Sequence, residues 1–449
     1  MATIELRRTV DIRHDVDVFV AGGGPSGVAA AIAAARQGSR VFLAEGQNCL
    51  GGMGTSGLIP AFMTFGDGVN FLAGGVGREV LDRLIAGGGT SHHYKPKDAY
   101  GALPIRTEVL KRVYDDLLLE AGVDFAFLTS LIGVETADGR VEHAILAAKS
   151  GIFAVRAKVY VDCTGDADLA AWAGAPCQLG DDDGRMMAGT LCSLWANVDF
   201  EAFNKSGIGW QQNRLPDAIK DGTIFTVDDY HLPGMWDLGG GIGGGNIGHT
   251  FGVNGTDERS LTTALLHARK SLLEYERYYK QYLRGFERMV LVATAALLGV
   301  RETRRVCCGY TLSLDDFRNR AVFDDEIGRY AYGVDIHASS GGRASYEKFE
   351  RDHRGLQYGP GENYGIPYRA LVPQRLSNVL VAGRCVGSDR YIQSSIRVMP
   401  GCYITGQAAG VAASLAAQKG AGTAGVNVRE LQARLLKLGA HLPNATVMT

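Results

Sequence analysis

The sequence is poor in the features that mark membrane proteins, nucleic-acid-binding proteins and metalloproteins. It has no run of about 18 apolar residues, so we expect no transmembrane helix and no membrane partner. Its 46 Lys and Arg residues are balanced by 48 Asp and Glu residues, and the net charge of -2 predicts no nucleic-acid partner. The start lacks a signal-peptide core, and the 8 cysteines form no C-x-x-C pair. We therefore expect free thiols, a cytoplasmic location and no metal site.

Glycine, by contrast, is abundant, and many of the 61 glycines gather in short clusters. The most informative cluster follows the apolar run 16–21 and places Gly22, Gly24 and Gly27 in a G-x-G-x-x-G pattern. The first glycine permits a tight turn, the second lets the backbone approach a pyrophosphate, and the third lets the next helix pack closely. Pro25 suits the first helical position, where free N–H groups favour the negative charge of a phosphate.

An acidic residue completes this pattern. Glu45 ends the next apolar run, 41–44, where its carboxylate can accept hydrogen bonds from ribose hydroxyls. The combination of apolar run, turn, Ala-rich helix and acid predicts a bound dinucleotide. A second match, from Gly243 to Gly248, has no β-like run before it and no helical sequence after it. We interpret this second match as a loop.

The texture of the sequence divides the chain into three segments. Residues 1–176 and 360–449 alternate short apolar runs with small-residue helices, which is typical of α/β domains. Residues 177–359 have more aromatic residues and longer loops. We predict one nucleotide-binding domain interrupted by an inserted domain at 177–359. Helices are predicted at 78–85, 107–121, 168–173, 261–284, 289–298 and 403–419, and strands at 123–127, 131–136, 141–147, 154–161 and 378–382.

An ordered set of motifs runs along the chain. Beyond 22–27 with Glu45, the set comprises 50–53, 162–168, 299–305, 335–337, 365–369, 382–384, 395–400 and 406–410. Together they resemble the FAD-dependent oxidoreductases of the glutathione-reductase-type fold. Within that family, the chain is most similar to the bacterial branch related to the flavin subunit of heterodisulfide reductase. The resemblance spans nearly the whole chain.

The resemblance implies an α/β, Rossmann-like FAD-binding domain of glutathione-reductase type with an inserted α+β substrate domain. FAD would bind in an extended form, with its pyrophosphate at 22–27, its ribose at Glu45 and its adenine beside the backbone at Leu131. The residues implied in FAD binding are Gly22, Gly24, Pro25, Ser26, Gly27, Glu45, Gly46, Gly51, Gly52, Met53, Arg106, Leu131, Thr164, Gly165, Asp166, Gly383, Arg384, Arg397, Val398 and Met399.

The flavin end of the cofactor is assigned to the later motifs. Residues 164–166 and 383–384 would approach the ribityl chain or pyrophosphate, and Arg397 would lie by the pyrimidine edge of the flavin. A reduced flavin carries negative charge at N1 and C2=O, which an arginine or a helix N-terminus stabilises. As alternatives, Asp166 could cap the next helix, Arg397 could belong to a structural ion pair, and Arg106 could be a plain loop residue.

The chain departs from some members of this family. It lacks the cysteine clusters that bind iron–sulfur centres, the redox C-x-x-C and a second convincing dinucleotide fingerprint. We therefore expect no dedicated NAD(P)H domain. The G-D motif that follows the late strand in aromatic hydroxylases is also absent, which disfavours an oxygen-activating monooxygenase.

Candidate catalytic residues come from the middle segment and the return to the α/β texture. His337 is the first choice because histidine titrates near working pH, although a structural histidine is the alternative. Arg369 could bind a carboxylate, and Tyr368 could bridge flavin and substrate, with packing as the alternative. The charged run 301–305 favours a structural ion-pair network. The pair at 92–93, His92 and His93, is assigned to a solvated loop.

These features predict an FAD-dependent oxidoreductase that transfers a hydride between flavin N5 and a small polar metabolite. The reaction would be dehydrogenation of an alcohol or of a C–C bond, or the reverse reduction, with an external electron acceptor or donor. A homo-oligomer is compatible with the sequence. Two other functions stay open: a flavoprotein monooxygenase or halogenase, and a flavoprotein with an RNA-modifying or non-catalytic role.

Overall fold

We describe the fold from a computed structural model that covers residues 4–5, 7–90, 100–208, 214–230, 234–353 and 355–445. The strands are β1 (Ile12–Ala21), β2 (Val41–Ala44), β3 (Ala61–Phe62), β4 (Leu103–Pro104), β5 (Asp124–Ala126), β6 (Ser130–Ala137), β7 (Arg140–Ala148), β8 (Gly151–Asp162), β9 (Cys177–Leu179), β10 (Ser193–Ala196), β11 (Gly234–Asp237), β12 (Gly243–Asn246), β13 (Val290–Thr294), β14 (Arg304–Val306), β15 (Glu326–Tyr330), β16 (Tyr364–Pro367) and β17 (Val379–Val381).

The helices are α1 (Pro25–Arg36), α2 (Val76–Ala86), α3 (Thr107–Glu120), α4 (Asp168–Trp172), α5 (Phe200–Lys205), α6 (Leu215–Asp221), α7 (Glu258–Tyr282), α8 (Leu314–Arg318), α9 (Arg343–His353), α10 (Arg390–Ile396), α11 (Met399–Lys419) and α12 (Val428–Lys437). Within the described ranges, none of these helices has both the length and the apolar character needed to cross a bilayer.

A seven-stranded sheet is built from the two terminal segments of the chain. Its order is β5-β2-β1-β8-β7-β6, and β17 also pairs with β8. Strands β5, β2, β1, β8 and β17 run parallel, and α1 connects β1 to β2. Ala21 pairs with both Ala44 and Asp162, and Asp162 pairs with Val381, so four carboxyl ends meet at one edge. The predicted mixed α/β fold with a parallel, Rossmann-like sheet is confirmed.

An antiparallel hairpin extends this sheet on one side. Strands β6 and β7 pair with each other, and β7 pairs with the first half of β8. Asp138 and Gly139 connect β6 to β7 with φ angles of 49° and 72°. Two consecutive positive φ angles define the tight hairpin turn that an Asp-Gly pair predicts.

Two helices rich in small residues pack against each other on the sheet. Residues 26–34 of α1 are all buried, and so is α11 from Met399 to Ala417. A Cβ atom on Gly406 would lie 2.1 Å from the carbonyl oxygen of Ser26. A Cβ atom on Gly410 would lie 2.1 Å from the carbonyl oxygen of Ala30. These two glycines let the backbones touch, which fixes the start of α11 close to the glycine-rich turn.

A four-stranded antiparallel sheet lies within residues 177–359, in the order β11-β12-β10-β13. The predicted helix at 289–298 is wrong, because β13 occupies half of it and residues 295–298 are not helical. Val290 and Val292 are exposed while Leu291 is partly buried, and β-branched residues at alternate positions favour an extended edge strand. A largely apolar run of ten residues does not by itself distinguish a strand from a helix.

The loop predicted at Gly243 is also corrected, since residues 243–246 form the inner strand β12. A Cβ atom on Gly245 would lie 2.7 Å from the Ser193 hydroxyl oxygen, and one on Gly244 would lie 2.5 Å from Cβ of Pro60. The glycines are therefore required by close tertiary neighbours, which local propensity does not reveal.

Helix α7 covers this smaller sheet, as predicted for residues 261–284. It begins after Asp257, whose side chain accepts a hydrogen bond from the Ser260 N–H at 2.6 Å. Its buried face includes Tyr275, Tyr278 and Tyr279, which pack in the second hydrophobic core. The helix thereby carries the Tyr275 hydroxyl into the interior of the middle segment.

Candidate active site

The glycine-rich turn between β1 and α1 has the geometry that its sequence predicts. Gly22 has a φ angle of 92°, and a Cβ atom on Gly27 would lie 1.9 Å from the Gly22 carbonyl oxygen. A Cβ atom on Gly24 would meet no atom within 4 Å. Gly24 is the N-cap of α1 and Pro25 is the first residue of the helix. Open space therefore lies beside the N-terminus of α1, which is an arrangement that binds a phosphate.

Glu45 lies directly after β2, beside this turn. Its two carboxylate oxygens accept 2.7 Å hydrogen bonds from the N–H groups of Gly23 and Gln47. Burial raises the pKa of Glu45, and the backbone hydrogen bonds oppose that shift. A Cβ atom on Gly46 would lie 3.2 Å from the hydroxyl oxygen of Ser130, the residue before Leu131. The ends of β2 and β6 thus meet beside the turn.

The segment 51–53 closes over the same turn. The N–H of Gly51 donates to the Gly23 carbonyl oxygen at 2.8 Å. A Cβ atom on Gly52 would lie 3.2 Å from the Cα atom of Gly24. Met53 follows in the same short helical turn. These contacts bring two of the predicted cofactor residues, Gly51 and Gly52, against the backbone of 22–27.

Asp166 and Arg384 join the ends of β8 and β17. The Arg384 guanidinium donates to the Asp166 carboxylate and, at 2.9 Å, to the carbonyl oxygen of Gly165. Asp166 does not cap α4, because the Thr164 hydroxyl accepts the hydrogen bond from the Asp168 N–H at 3.0 Å. The alternative role of Asp166 as a helix cap is therefore excluded by geometry.

The end of β17 also contacts the first helix. Gly383 has a φ angle of 82°, and a Cβ atom there would lie 2.6 Å from the Ser26 hydroxyl oxygen. Motifs that are more than 350 residues apart in the sequence thus converge at one sheet edge.

Arg397 lies immediately before α11, whose N-cap is Val398 and whose first residue is Met399. One terminal nitrogen of Arg397 donates to an Asp335 carboxylate oxygen at 2.9 Å. Its Nε atom is buried and has no hydrogen-bond partner among the residues that the structure describes. Burial and the neighbouring Arg397 charge lower the pKa of Arg301 to about 10. Two guanidinium groups therefore lie near the Asp335 carboxylate, and the charge of Asp229 also acts on Arg301.

A cavity with a volume of about 380 Å³ opens beside Asp335, and this volume suits a small molecule. All of its lining residues fall between residues 229 and 357. The carboxylates and imidazoles that line it are Asp229, Asp335, Glu350, His249, His337 and His353. The cavity thus contains the predicted catalytic histidine and a set of acid–base groups around it.

Four of these groups form a continuous chain. The Nδ1 atom of His249 lies 3.1 Å from Oδ1 of Asp229, and its Nε2 atom lies 3.0 Å from Nδ1 of His337. The Nε2 atom of His337 lies 3.4 Å from Oδ1 of Asp335. Oδ2 of Asp229 accepts hydrogen bonds from the Tyr275 hydroxyl at 3.0 Å and from the His249 N–H at 2.8 Å.

The electrostatics of this chain favour neutral imidazoles. Burial, followed by the charge of Arg301, lowers the pKa of His337 to about 3, and burial also lowers that of His249. Burial alone would raise the pKa of Asp335, but His337, Arg397 and Arg301 hold it well below its usual range. At neutral pH the site therefore contains neutral imidazoles beside an ionised Asp335 carboxylate.

The other two predicted catalytic residues are not brought together with His337. Tyr368 is buried, and its hydroxyl donates to the carbonyl oxygen of Thr423 at 2.7 Å. The side chain of Arg369 is about half exposed and pairs with Asp325 at 2.9 Å. Neither residue lines the cavity, because each side chain is directed to a partner elsewhere. The geometry favours packing for Tyr368 and a surface ion pair for Arg369.

Arg106 reaches the smaller sheet rather than the edge of the parallel sheet. Its Nε atom donates to the Leu238 carbonyl oxygen at 2.7 Å, just after β11. This bond agrees with the alternative interpretation of Arg106 as a loop residue that does not contact FAD. His92 and His93 lie outside the described residues.

The charged run at 301–305 is mostly a structural network, as predicted. The buried Glu302 carboxylate pairs with Arg305 and, at 3.0 Å, with Arg390. Arg304 pairs with Asp168 at 2.7 Å. Buried carboxylates of this kind require such paired partners.

Sequence reasoning missed His249 and Asp229. His249 follows the glycine-rich segment 243–248, which the sequence pattern predicts to be a loop and which carries no recognisable functional motif. Asp229 carries no motif signal at all. The two residues are 20 positions apart, and His337 is 88 positions after His249, so only folding brings the three together.

Comparison with known protein families identifies the family of the chain. The family model of the FAD-dependent oxidoreductases matches residues 17–435. The chain belongs to the FAD-dependent oxidoreductase family. It is therefore an enzyme of that class, and FAD is its cofactor. No curated protein matches its sequence.

Several solved structures are similar over most of their length. A geranylgeranyl bacteriochlorophyll reductase-like protein from Thermoplasma acidophilum has 13% identity and a TM-score of 0.46, covering 95% of this chain and 83% of that chain. The p-nitrophenol 4-monooxygenase PnpA from Pseudomonas putida has 12% identity and a TM-score of 0.46, covering 90% of this chain and 79% of that chain. A triple mutant of the flavin-dependent brominase Bmp2 has 12% identity and a TM-score of 0.44, covering 94% of this chain and 84% of that chain. These values do not decide among reduction, oxygenation and halogenation.

The residues present fit FAD at both ends. At the adenosine end, a Cβ atom on Gly24 would occupy the open space beside the N-terminus of α1. Beside Asp335, the buried Nε atom of Arg397 could donate a hydrogen bond to a bound flavin.

Proposed function

We propose that this flavoenzyme transfers a hydride between flavin N5 and a small polar metabolite in the His337 cavity. The observation that carries the proposal is the chain of acid–base groups that lines a cavity next to the Asp335–Arg397 pair at the start of α11. When bound, FAD would supply the two-electron chemistry, and the protein needs to add orientation and one proton donor or acceptor.

The cofactor would lie along the edge where β1, β2, β8 and β17 end. We propose a glutathione-reductase-type arrangement, supported by the hairpin β6–β7 beside the parallel strands and by the late strand β17. Residues 22–27 would hold the pyrophosphate, Glu45 the adenosine ribose, Leu131 the adenine, and 383–384 the middle of the cofactor. Arg397 would meet the pyrimidine edge, in line with its buried Nε atom.

His337 would act on the metabolite as a proton acceptor during oxidation, or as a donor in the reverse reaction. Its imidazole lies at the cavity wall with about 10% of its surface exposed, and it is neutral at working pH. The cavity lies entirely within residues 177–359, which supports our assignment of that segment as the substrate domain. We further propose that an external acceptor or donor exchanges electrons with the flavin, because only one of the two glycine patterns has the turn and helix of a dinucleotide site.

An anaerobic titration tests this function. The purified holoenzyme is mixed, oxidised, with a panel of hydroxy acids, polyols and amino alcohols, and the absorbance of oxidised flavin is followed. The photoreduced holoenzyme is mixed in parallel with the matching carbonyl compounds. Bleaching by one metabolite, or reoxidation by its carbonyl partner, supports the proposal. Rapid oxygen-dependent consumption of NAD(P)H with hydroxylated or halogenated products would instead support an oxygenase or halogenase.

A further inference from the structure

The outer face of helix α7 concentrates positive charge in a chain whose net charge is only -2. Arg259, Lys270 and Arg277 are all exposed on this helix. Leu266 and Leu273 are exposed as well, and they keep 55% and 51% of their surface open to water. At about 3.6 residues per turn, these five positions lie within about 60° of one another around the helix axis. They form a band about 27 Å long, which we call the α7 stripe.

The cations of the α7 stripe are not neutralised by the carboxylates of the same helix. Lys280, which pairs with Glu276 at 2.6 Å, is the one Lys or Arg of α7 with a carboxylate partner in the part of the chain that the structure describes. Glu274 accepts a hydrogen bond from the Thr226 hydroxyl at 2.8 Å. Together with Glu258, these acids lie more than about 60° from the centre of the stripe. Unneutralised cations on one surface attract an anionic partner.

The inner face of α7 is built into the middle segment. Ala264, Ala268 and Leu272 are buried there. Tyr275 lies on the same inner side, and its hydroxyl donates to Asp229 at 3.0 Å. The helix is therefore held in the second hydrophobic core, so the stripe faces outward before any partner binds. A surface that is already rigid loses little conformational entropy on docking.

We propose that the α7 stripe docks on an anionic lipid surface. Each lysine or arginine near such a surface strengthens binding by about fivefold through attraction to the charged head groups. The two leucines lie between the cations and would enter the boundary between head groups and acyl chains, where apolar side chains lose their contact with water. A peripheral contact of this kind needs no long apolar run, and α7 itself stays packed in the protein.

The leucines of the stripe favour lipid over nucleic acid. Proteins hold nucleic acids through polar contacts to phosphates and through aromatic side chains that stack on bases. The five positions of the α7 stripe include no aromatic residue. A second copy of the chain that docked through its own α7 stripe would place cations against cations, which costs binding energy. Lipid head groups offer negative charge and an apolar boundary together.

Co-sedimentation of the full-length, FAD-loaded enzyme with vesicles tests the proposal. One vesicle contains phosphatidylcholine alone, and the other contains equal parts of phosphatidylcholine and phosphatidylglycerol. At about 0.1 M NaCl, we expect the enzyme to pellet with the anionic vesicle only. At about 1 M NaCl, where the Debye length is about 3 Å, the enzyme should be released. Equal binding to both vesicles, or binding to neither, would overturn the proposal.

A double variant assigns the contact to α7. Changing Lys270→Gln together with Arg277→Gln should weaken binding to the anionic vesicle by about 10- to 30-fold. The matched control combines Arg140→Gln with Lys149→Gln, which removes the same charge from exposed positions at the start of β7 and just after it. We expect the control to bind as the wild type does. Equal weakening in both proteins would mean that only net charge matters, and the assignment to the stripe would fail.

A leucine variant distinguishes lipid from other anionic partners. Leu273→Ser should weaken vesicle binding by about threefold to tenfold, because the apolar side chain no longer enters the boundary region. Leu119→Ser, at an exposed position of α3, is the control and should have no effect. Single-stranded RNA that binds more tightly than the anionic vesicle, and equally well in Leu273→Ser, would overturn the proposal and assign the stripe to nucleic acid.

Size-exclusion chromatography checks the remaining occupant, a second copy of the chain. A dimer that is lost in the Lys270→Gln and Arg277→Gln variant would assign the stripe to self-association and would overturn the lipid contact. None of these measurements uses a substrate of the flavin. Their outcome is therefore independent of the proposed hydride transfer.

Discussion

The Nε2 atom of His249 lies 3.0 Å from the Nδ1 atom of His337, and both histidines line the same cavity. The pair connects Asp229 on one side with Asp335 on the other. In a direct imidazole–imidazole hydrogen bond one ring donates and the other accepts, so the protonation of each histidine is coupled to that of the other. The proposed function uses this pair through His337, which would exchange the proton with the substrate.

Replacing His337 should separate catalysis from cofactor binding. In His337→Asn, flavin reduction by the substrate should slow by about 10²- to 10⁴-fold, because the proton acceptor is lost. FAD content and photochemical reduction should not change, since His337 lies in the cavity rather than at the cofactor-binding edge. Rapid-mixing absorbance measures both rates. The control is His143→Asn, a change in β7 far along the sheet, where His143 pairs with Glu135. Equal slowing in both variants would contradict the assignment.

Acid should destabilise the fold through the buried histidines. In the unfolded chain a histidine titrates near 6.5, whereas burial lowers the pKa of His337 to about 3 in the folded chain. Between these values the unfolded state binds one more proton, so the free energy of unfolding falls as the pH falls. The slope approaches about 1.4 kcal/mol per pH unit for one such histidine.

Urea unfolding at several pH values between 7 and about 5 measures this slope, within the window given by those pKa values. The slope should be shallower in His337→Asn than in the wild type, because that residue no longer titrates. Identical slopes would show that His337 is already protonated, or equally accessible, in the folded protein.

Two glycine substitutions should have opposite effects on fold and cofactor. Gly24→Ala places a Cβ atom where no protein atom lies within 4 Å, so the apoprotein should keep its thermal stability. The added methyl group would occupy the expected phosphate site, and FAD affinity should fall at least about tenfold.

Gly27→Ala is the counterpart. Its Cβ atom would lie 1.9 Å from the Gly22 carbonyl oxygen, so the turn must shift. We expect a loss of stability of about 1–3 kcal/mol, as for other overpacked sites. Thermal unfolding of the apoproteins and fluorescence titration with FAD distinguish the two variants. If Gly24→Ala binds FAD as the wild type does, the pyrophosphate does not lie at this turn.

Replacing Arg397 should change the midpoint potential of the bound FAD rather than the stability of the fold. The positive charge of Arg397 near the pyrimidine edge would stabilise the reduced, anionic flavin, so Arg397→Gln should lower the midpoint potential of the bound FAD. Arg397→Lys keeps the charge and should lower it less. Spectroelectrochemical titration measures the potential, and FAD content checks that binding persists. An unchanged potential in Arg397→Gln would assign Arg397 to a purely structural pair with Asp335.

The parts of the fold that depend on local pattern could be predicted from the sequence. The turn at 22–27, the acid Glu45 and the Asp-Gly hairpin each depend on a backbone conformation that few residues adopt. The pairing of Asp166 with Arg384 was not specified by the sequence, although both residues belong to recognised motifs.

The parts that depend on long-range packing could not be predicted. Strand β12 is made of glycines because Pro60 and Ser193 press against it, and nothing in the local sequence indicates this. Strand β13 has an apolar composition that also suits a buried helix. Asp229 and His249 are positioned by separate loops, so their relation to His337 exists only in the folded chain.

The central claim is that the flavin ring and the His337 cavity meet at the start of α11. A crystal structure of the FAD-bound enzyme tests this claim most directly. We predict the pyrimidine edge of the flavin within hydrogen-bond distance of the Arg397 Nε atom, and the N5 edge facing the cavity that contains Nε2 of His337. A flavin ring that lies away from the cavity, with the Asp335–Arg397 pair between them, would contradict the account.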